Sequence, residues 1–438
     1  MFEMNKKIKG SKNLNVPNKG EQSQTCLSYA DRAEQSLQGN VPNKRAQSQV
    51  YLNYAEHEEH LHKENVPNLR FPEFSGEWTK TSIGECFSKV ENGLTYDTNN
   101  ASGVPVTRIE TISDKSINYD RVGYANIDDK ISKYEMQYGD VLFSHINSLK
   151  HIGKTAFYDA AQPLYHGMNL LLLRAKKSQD SKFLYYTLNT HRFLHRCQVL
   201  ANQAVNQASI NTKELKGIKI SVPQMQEQKK IAEFISYIDD RIATQIKIIE
   251  DLKKLKSAIR AKVFKQLESS CECWSEIGNM LQYEQPSKYL VTSTEYSDSY
   301  ATPVLTANKA FILGYTDEEF GIYSKGECVI FDDFTMDVKF VNFPFKVKSS
   351  AIKILTANSS NDLYFVYEYL QNLGLVSEEH KRHYISEIEP MIVACPTFEE
   401  QQNISNLLRS FDSKIEYANR ELILYNKQKQ HLLSQMFI

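Results

Sequence analysis

The segment from Pro223 to Phe264 occurs twice, and Pro396 to Phe437 lies over it without a gap. Pro223, Glu227, Gln228, Ile231, Asp239, Ile242, Lys256 and Phe264 fall on Pro396, Glu400, Gln401, Ile404, Asp412, Ile415, Lys429 and Phe437. The apolar spacing repeats too. Ile231, Ile235, Ile238, Ile242, Ile246 and Ile249 step by threes and fours, as do Ile404, Leu408, Phe411, Ile415 and Leu422. That period places one apolar stripe on each of two long helices. Neither segment holds a Gly or an internal Pro to break it. A helix of about 40 residues is roughly 60 Å long. A stripe of that length needs a partner, and the second copy is the obvious one. The expected helix-pairing residues are Ile231, Ile235, Ile238, Ile242, Ile249, Ile404, Leu408, Phe411, Ile415 and Leu422.

Each long helix follows a mixed region of similar size, so the plan reads globule, helix, globule, helix. The fold class expected is α+β, with two similar globules and an antiparallel helix pair related by a pseudo-two-fold. The segments are a leader at 1–65, a first globule at 66–222, helix at 223–267, a second globule at 268–395, and helix at 396–438. The leader repeats Asn15-Val16-Pro17-Asn18 at Asn40 and again at Asn65. It is polar and has only two full units, too few for a solenoid, so it reads as mostly disordered or weakly helical.

The globules keep one order of motifs. Trp78 with Ile83-Gly84 is echoed by Trp274 with Ile277-Gly278. Val104-Pro105-Val106 is echoed by Thr302-Pro303-Val304, and Gly139-Asp140-Val141 by Gly326-Glu327-Cys328. Phe183 to Ala201 and Asp362 to Leu373 read as helices, and Ile218 to Val222 and Met391 to Cys395 as final strands.

A net charge of -1 gives no overall pull toward nucleic acid or membrane. The longest apolar run, Leu170 to Leu173, cannot span a bilayer. Seven cysteines, without zinc spacing, read as reduced thiols of a cytosolic protein. Gly153-Lys154-Thr155 resembles the end of a P-loop, but Ser148 stands where the first Gly is needed. No adenine-methyltransferase, zinc-protease or nucleophile-elbow signature is present. Asp332-Asp333 with Lys339 reads as a solvated loop pair rather than a nuclease metal site, and His145, His151 and His166 do not have ligand spacing. No catalytic residue and no metal ligand is expected.

What remains is a binding surface. Asn147, Ser148, Lys150, His151 and Lys154 form a polar, basic loop after a strand, of a kind that meets phosphates and base edges. Gln203, Asn206, Gln207 and Ser209 form an amide-rich stretch, and Asn or Gln can pair with adenine in the major groove. Arg108 follows a short strand and either contacts phosphate or pairs with Glu110. The bland alternative for each is an ordinary polar turn. The first globule carries about 19 basic and 15 acidic residues, whereas residues 271–395 carry about 9 and 18. For the second globule to bind DNA, Lys339, Lys346, Lys348, Lys381 and Arg382 would have to share a face, away from Glu318-Glu319 and Glu378-Glu379.

Leu69-Arg70-Phe71-Pro72-Glu73-Phe74 with Trp78 resembles the opening of a specificity subunit of type I restriction-modification enzymes. The repeated start, Pro223-x-x-x-Glu227-Gln228-x-x-Ile231 and Pro396-x-x-x-Glu400-Gln401-x-x-Ile404, is similar to the start of that family's two spacer helices. The resemblance covers residue 66 to the end. It implies two target-recognition domains, each reading half of a split double-stranded DNA site. It also implies a helix pair that docks two methyltransferase subunits, with restriction subunits joining that core in the cytoplasm. S-adenosylmethionine, ATP and Mg would be used by those partners, and this chain would hold no cofactor. The competing function is a coiled-coil adaptor that binds no DNA.

Overall fold

The computed structural model describes residues 65–438 apart from 98–101, 114–115, 127–130, 205–206, 307–310 and 378–380. The leader up to residue 64, Asn206 and Glu378-Glu379 therefore lie outside the described residues.

Two long helices dominate, Met225–Ser270 of 46 residues and Phe398–Met436 of 39. They pack antiparallel. Ile249, Ala418 and Leu422 form the middle of the seam, with Ile242, Ile246, Leu252 and Ile415 half-buried around them. Gln245 crosses the seam and donates to the Ala418 carbonyl at 2.9 Å. Gln245 and Ala418 occupy equivalent places in the two repeats, so this contact sits close to the pseudo-two-fold axis.

The first globule closes on itself by pairing Thr79–Ser82 with Lys219–Val222. Inside lies a four-stranded antiparallel sheet in the order Phe87–Asn92, Leu171–Ala175, Val141–Phe143, Thr155–Phe157. The second globule pairs Trp274–Glu276 with Ile392–Ala394. Its sheet runs Leu281–Glu284, Ile352–Ala357, Cys328–Asp332, Val338–Val341 in the same order and sense. The echoed prolines both stand in antiparallel strand pairs, Pro105 opposite Tyr124 and Pro303 opposite Tyr315, although in the first globule a further strand pair lies between the two partners in the chain. Gly139 and Gly326 both adopt positive φ at the turn into a central strand, which a residue with a Cβ rarely does.

Two sequence readings need correction. Trp274 is not the counterpart of Trp78. The strand register sets Trp274 opposite Ala394 and Lys80 opposite Ser221, so Trp274 stands where Lys80 does, and it is half exposed. Trp78 is buried and donates its indole N–H to Glu227 at 3.2 Å. The stretch Phe183 to Ala201 is two helices, Ser181–Leu188 and His191–Leu200. Thr190 caps the second, and Asn189 turns inward to donate to the Thr155 hydroxyl at 2.7 Å.

Each globule sits on one end of the helix pair. Ile231, Ile235 and Ile238 of the first long helix and Leu432, Leu433 and Met436 of the second share a core with the first globule. Phe264 of the first and Leu408 of the second share the core of the other, with Ile404 packed against it. Seven of the ten expected pairing residues thus lie in the described apolar clusters of the seam or the first core, two more (Ile404 and Leu408) belong to the second core, and Phe411 is buried outside these clusters. The repeated Phe ends the logic. Phe264 lies against Phe365 and Tyr369, with centroids 5.5 and 4.6 Å away, and Phe437 stacks on Phe183 at 5.2 Å. No helix among the described residues is long and apolar enough to cross a membrane.

Candidate nucleic-acid interface

The structure joins the two polar stretches of the first globule. Asn202–Ala204, Gln207–Ser209 and Ile146–Asn147 form one three-stranded sheet. Asn147 and Gln203 both stand opposite Ala208, one on each side. Residues paired directly across antiparallel strands share a face, so Asn147 and Gln203 belong to one face and Gln207 to the other. Buried Ala208 ties that row to the globule's core.

The loop beyond Asn147 is short and fastened at its base. Ser144 N–H donates to the Lys154 carbonyl at 2.8 Å, and Gly153 N–H returns to the Ser144 carbonyl at 2.9 Å. Ile152 is buried in the core, and the Asn147 side chain accepts from Ser148 N–H at 2.8 Å. Ser148 and Lys150 are left exposed at the tip, and the Lys154 side chain is exposed at the base. Thr155, the last residue of the P-loop lookalike, is buried against Asn189. His151 differs from the sequence reading. Burial and the nearby Lys154 and Lys150 charges hold its pKa below the usual range, so it is a neutral imidazole, not a third cation.

The remaining candidates are more dispersed. Arg108 lies 3.8 Å from Glu110 with both side chains well exposed, which is the ion-pair alternative. Lys339 stands on the edge strand and pairs with Asp337 at 2.9 Å. Lys381 and Arg382 are exposed on a separate loop, and Lys381 pairs with Glu387 at 3.0 Å.

Lys346 cannot join a basic face. It is fully buried, 2.9 Å from Glu318, and donates to the Phe320 carbonyl at 2.7 Å. Asp332 and Asp333 are likewise buried rather than solvated. Asp332 accepts from Phe334 N–H at 2.9 Å and shapes the turn. Asp333 accepts from the amides of His383 and Tyr384 at 3.0 and 2.8 Å, and lies 3.5 Å from buried Lys353. It therefore anchors the loop that carries Lys381 and Arg382. No group of three or more His, Cys, Asp or Glu among the described residues could hold a metal ion.

The repeated Pro-x-x-x-Glu-Gln start has a structural reason. Gln228 and Gln401 are both buried. Each donates back to its own Pro carbonyl, at 2.8 and 3.0 Å. Each accepts, at 2.9 Å, the amide of the Asp that caps the globule's helix, Asp180 or Asp362. The Glu residues diverge. Glu227 takes a bidentate Arg70 at 2.8 Å on both oxygens, while Glu400 forms a capping box with Thr397.

A family profile described as the type I restriction modification DNA specificity domain matches residues 75–254. The chain is 31% identical over 406 residues to a Methanocaldococcus jannaschii protein described as the type I restriction enzyme MjaX specificity subunit, covering 83% of this chain and 93% of that one. This chain belongs to the type I restriction enzyme specificity subunits. A second relative, the EcoR124I/EcoR124II specificity subunit of Escherichia coli, is 40% identical over 176 residues, 37% of this chain and 44% of its own. The fold resembles the crystal structure of the S subunit from M. genitalium, with a TM-score of 0.52 at 16% identity, over 85% of this chain and 99% of that one. Specificity subunits are non-catalytic, so the polar sheet and loop belong to a recognition subunit and not to an enzyme active site.

Proposed function

We propose that this subunit reads a split double-stranded DNA site, one half with each globule. The observation that supports this best is the seating of two like-folded globules at opposite ends of one antiparallel helix pair. In the first globule, Lys150 and Lys154 contact phosphates, and Gln207, exposed on the sheet face away from buried Ala208, faces base edges, with exposed Gln203 beside it. In the second, the loop of Lys381 and Arg382, held by Asp333, approaches the other half-site, with Lys339 on the neighbouring edge strand. The helix pair docks two methyltransferase subunits, and the restriction subunits join that core. S-adenosylmethionine, ATP and Mg serve those partners in the cytoplasm.

Co-expression with a methyltransferase subunit should yield a complex that protects a split sequence. Replacing Lys150 and Lys154 by Ala should weaken binding and lower the salt slope by about two. A complex that forms but protects no DNA would leave the coiled-coil adaptor as the function. An unchanged salt slope would return the loop to an ordinary surface turn.

A further inference from the structure

We infer that Tyr186 and Tyr364, through the Asp–Lys pairs they engage, are positioning residues that set the spacing at which the two half-sites are read. The inference rests on the split-site reading. The Tyr186 hydroxyl donates to Asp239 of the first long helix at 2.8 Å, and the same carboxylate meets Lys429 of the second. At the other end the Tyr364 hydroxyl donates to Asp412 of the second long helix, which meets Lys256 of the first at 2.6 Å. Asp239 and Asp412 are equivalent in the repeat, as are Lys256 and Lys429. Each junction therefore joins three bodies: a globule's helix and both members of the rod.

The tyrosines are not equivalent in the repeat. Tyr186 is six residues after the capping Asp180, and Tyr364 two after Asp362. Two different positions in the globule helix reach the same carboxylate, so the contact is not a by-product of the duplication. Burial first, and the adjacent carboxylates second, hold both phenols well above their usual range, so each donates at neutral pH.

The apolar seats beneath the globules are strong but non-directional, and they resist lifting more than tilting. A directional contact to both helices fixes the angle. A globule of this size reaches about 20 Å from the rod, so a tilt of about 10° moves its far face by about 3.5 Å, one base-pair rise. The second junction is braced further, because Lys256 and Arg260 also pair with fully buried Glu368 at 2.6 and 3.3 Å. Among the described residues, no second acidic side chain is seen bridging Lys429 at the first junction.

The test uses the full subunit assembled with its methyltransferase partner. Bound DNA is selected from two pools, one with fixed half-sites and random spacer length, the other with a fixed spacer and random half-sites. Tyr186→Phe should leave the half-site sequences unchanged. It should reduce discrimination between the parental spacer and spacers one base pair longer or shorter by roughly three- to tenfold, the worth of one hydrogen bond. Tyr364→Phe should do the same more weakly. Lys256→Arg, which keeps the charge, should keep the parental spacer profile, and Lys256→Met should not. Spacer profiles of both Phe variants that overlay the parent, or a loss of affinity equal at all spacers, would overturn the inference. Failure of the parent itself to select a split site would overturn the split-site reading instead.

Discussion

At the scale of single residues, the second globule is held by buried charge that its sequence disguises as surface. Lys346 and Glu318 look like two members of opposing charge clusters, yet they are one buried pair. Breaking such a pair leaves an uncompensated charge, so Glu318→Ala should cost about 3 kcal/mol, measured by denaturant unfolding. Glu318 also makes the fold's stability depend on acid, present above the ordinary carboxylate range and lost as pH falls toward 2. Burial raises its pKa, but the hydrogen bonds from Thr292, Lys346 and the Ser293 amide prevail and hold it at about 2. The first globule's stability depends on milder acid. Burial, with His166 close by, lowers the pKa of His145 to about 4, and burial lowers that of His166. Both rings are neutral in the folded chain and protonate in the unfolded one below about 6.5. The stability they permit is therefore full above that pH and is lost as pH falls toward 4. Melting temperature should drop over that window, and His145→Asn should make the drop shallower. None of this was legible in sequence, because a lone Lys, Asp or His carries no mark of what the fold packs around it. Asp333 shows the same limit: next to Asp332 it reads as solvated, and only the return of residues 383–384 makes it an anchor.

At the scale of elements the sequence was far more informative, because a stripe repeated over 40 residues has few ways to be buried. The long helices, their pairing and the shared order of motifs in the two globules followed from periodicity and duplication. The errors came where a local signal was short. Trp274 was matched to Trp78 by residue type, although the register of the closing strands sets it two places away. The helix break at Asn189-Thr190 came from a cap and an inward amide that an apolar pattern does not reveal. The joining of residues 146–147 to 207–209, and of these to 202–204, was missed for a related reason, since strands of two or three residues carry almost no alternation. The seam itself makes a sharp prediction. Ile249 and Leu422 are buried at its centre, whereas Ile242 and Ile415 are only half-buried. Ile249→Asp should therefore release the helix pair and abolish pull-down of the methyltransferase partner, and Ile242→Asp should be milder. Equal retention of partner by both variants would show that the seam does not carry assembly.

At the scale of the whole molecule, the distance between globules is a helix length. Lys247 and Arg420 lie beside the axial Gln245–Ala418 contact. Seven residues inserted at both points keep the seam in register and lengthen the rod by about 10 Å, so the unread spacer should grow by roughly three base pairs. Selection from DNA with randomised spacers measures this, and an unchanged preference would place the ruler outside these helices. Ser221 donates to Asn65 at 2.9 Å within the first globule, and Leu69 N–H donates to the Gln435 carbonyl at 2.9 Å, so the start of the first globule is fastened through Leu69 to the far end of the second long helix. The folded body is thus a ring of two units closed without a covalent bond. Cutting the ring between Ser270 and Trp274, and joining the far helix end to Asn65 by a flexible linker, should give a circular permutant with the same half-sites and the same spacer. Methylation mapping of cells carrying the permutant and the partner subunit would test it. Loss of only the permutant's activity would mean that the order in which the units are synthesised matters as much as where they end up.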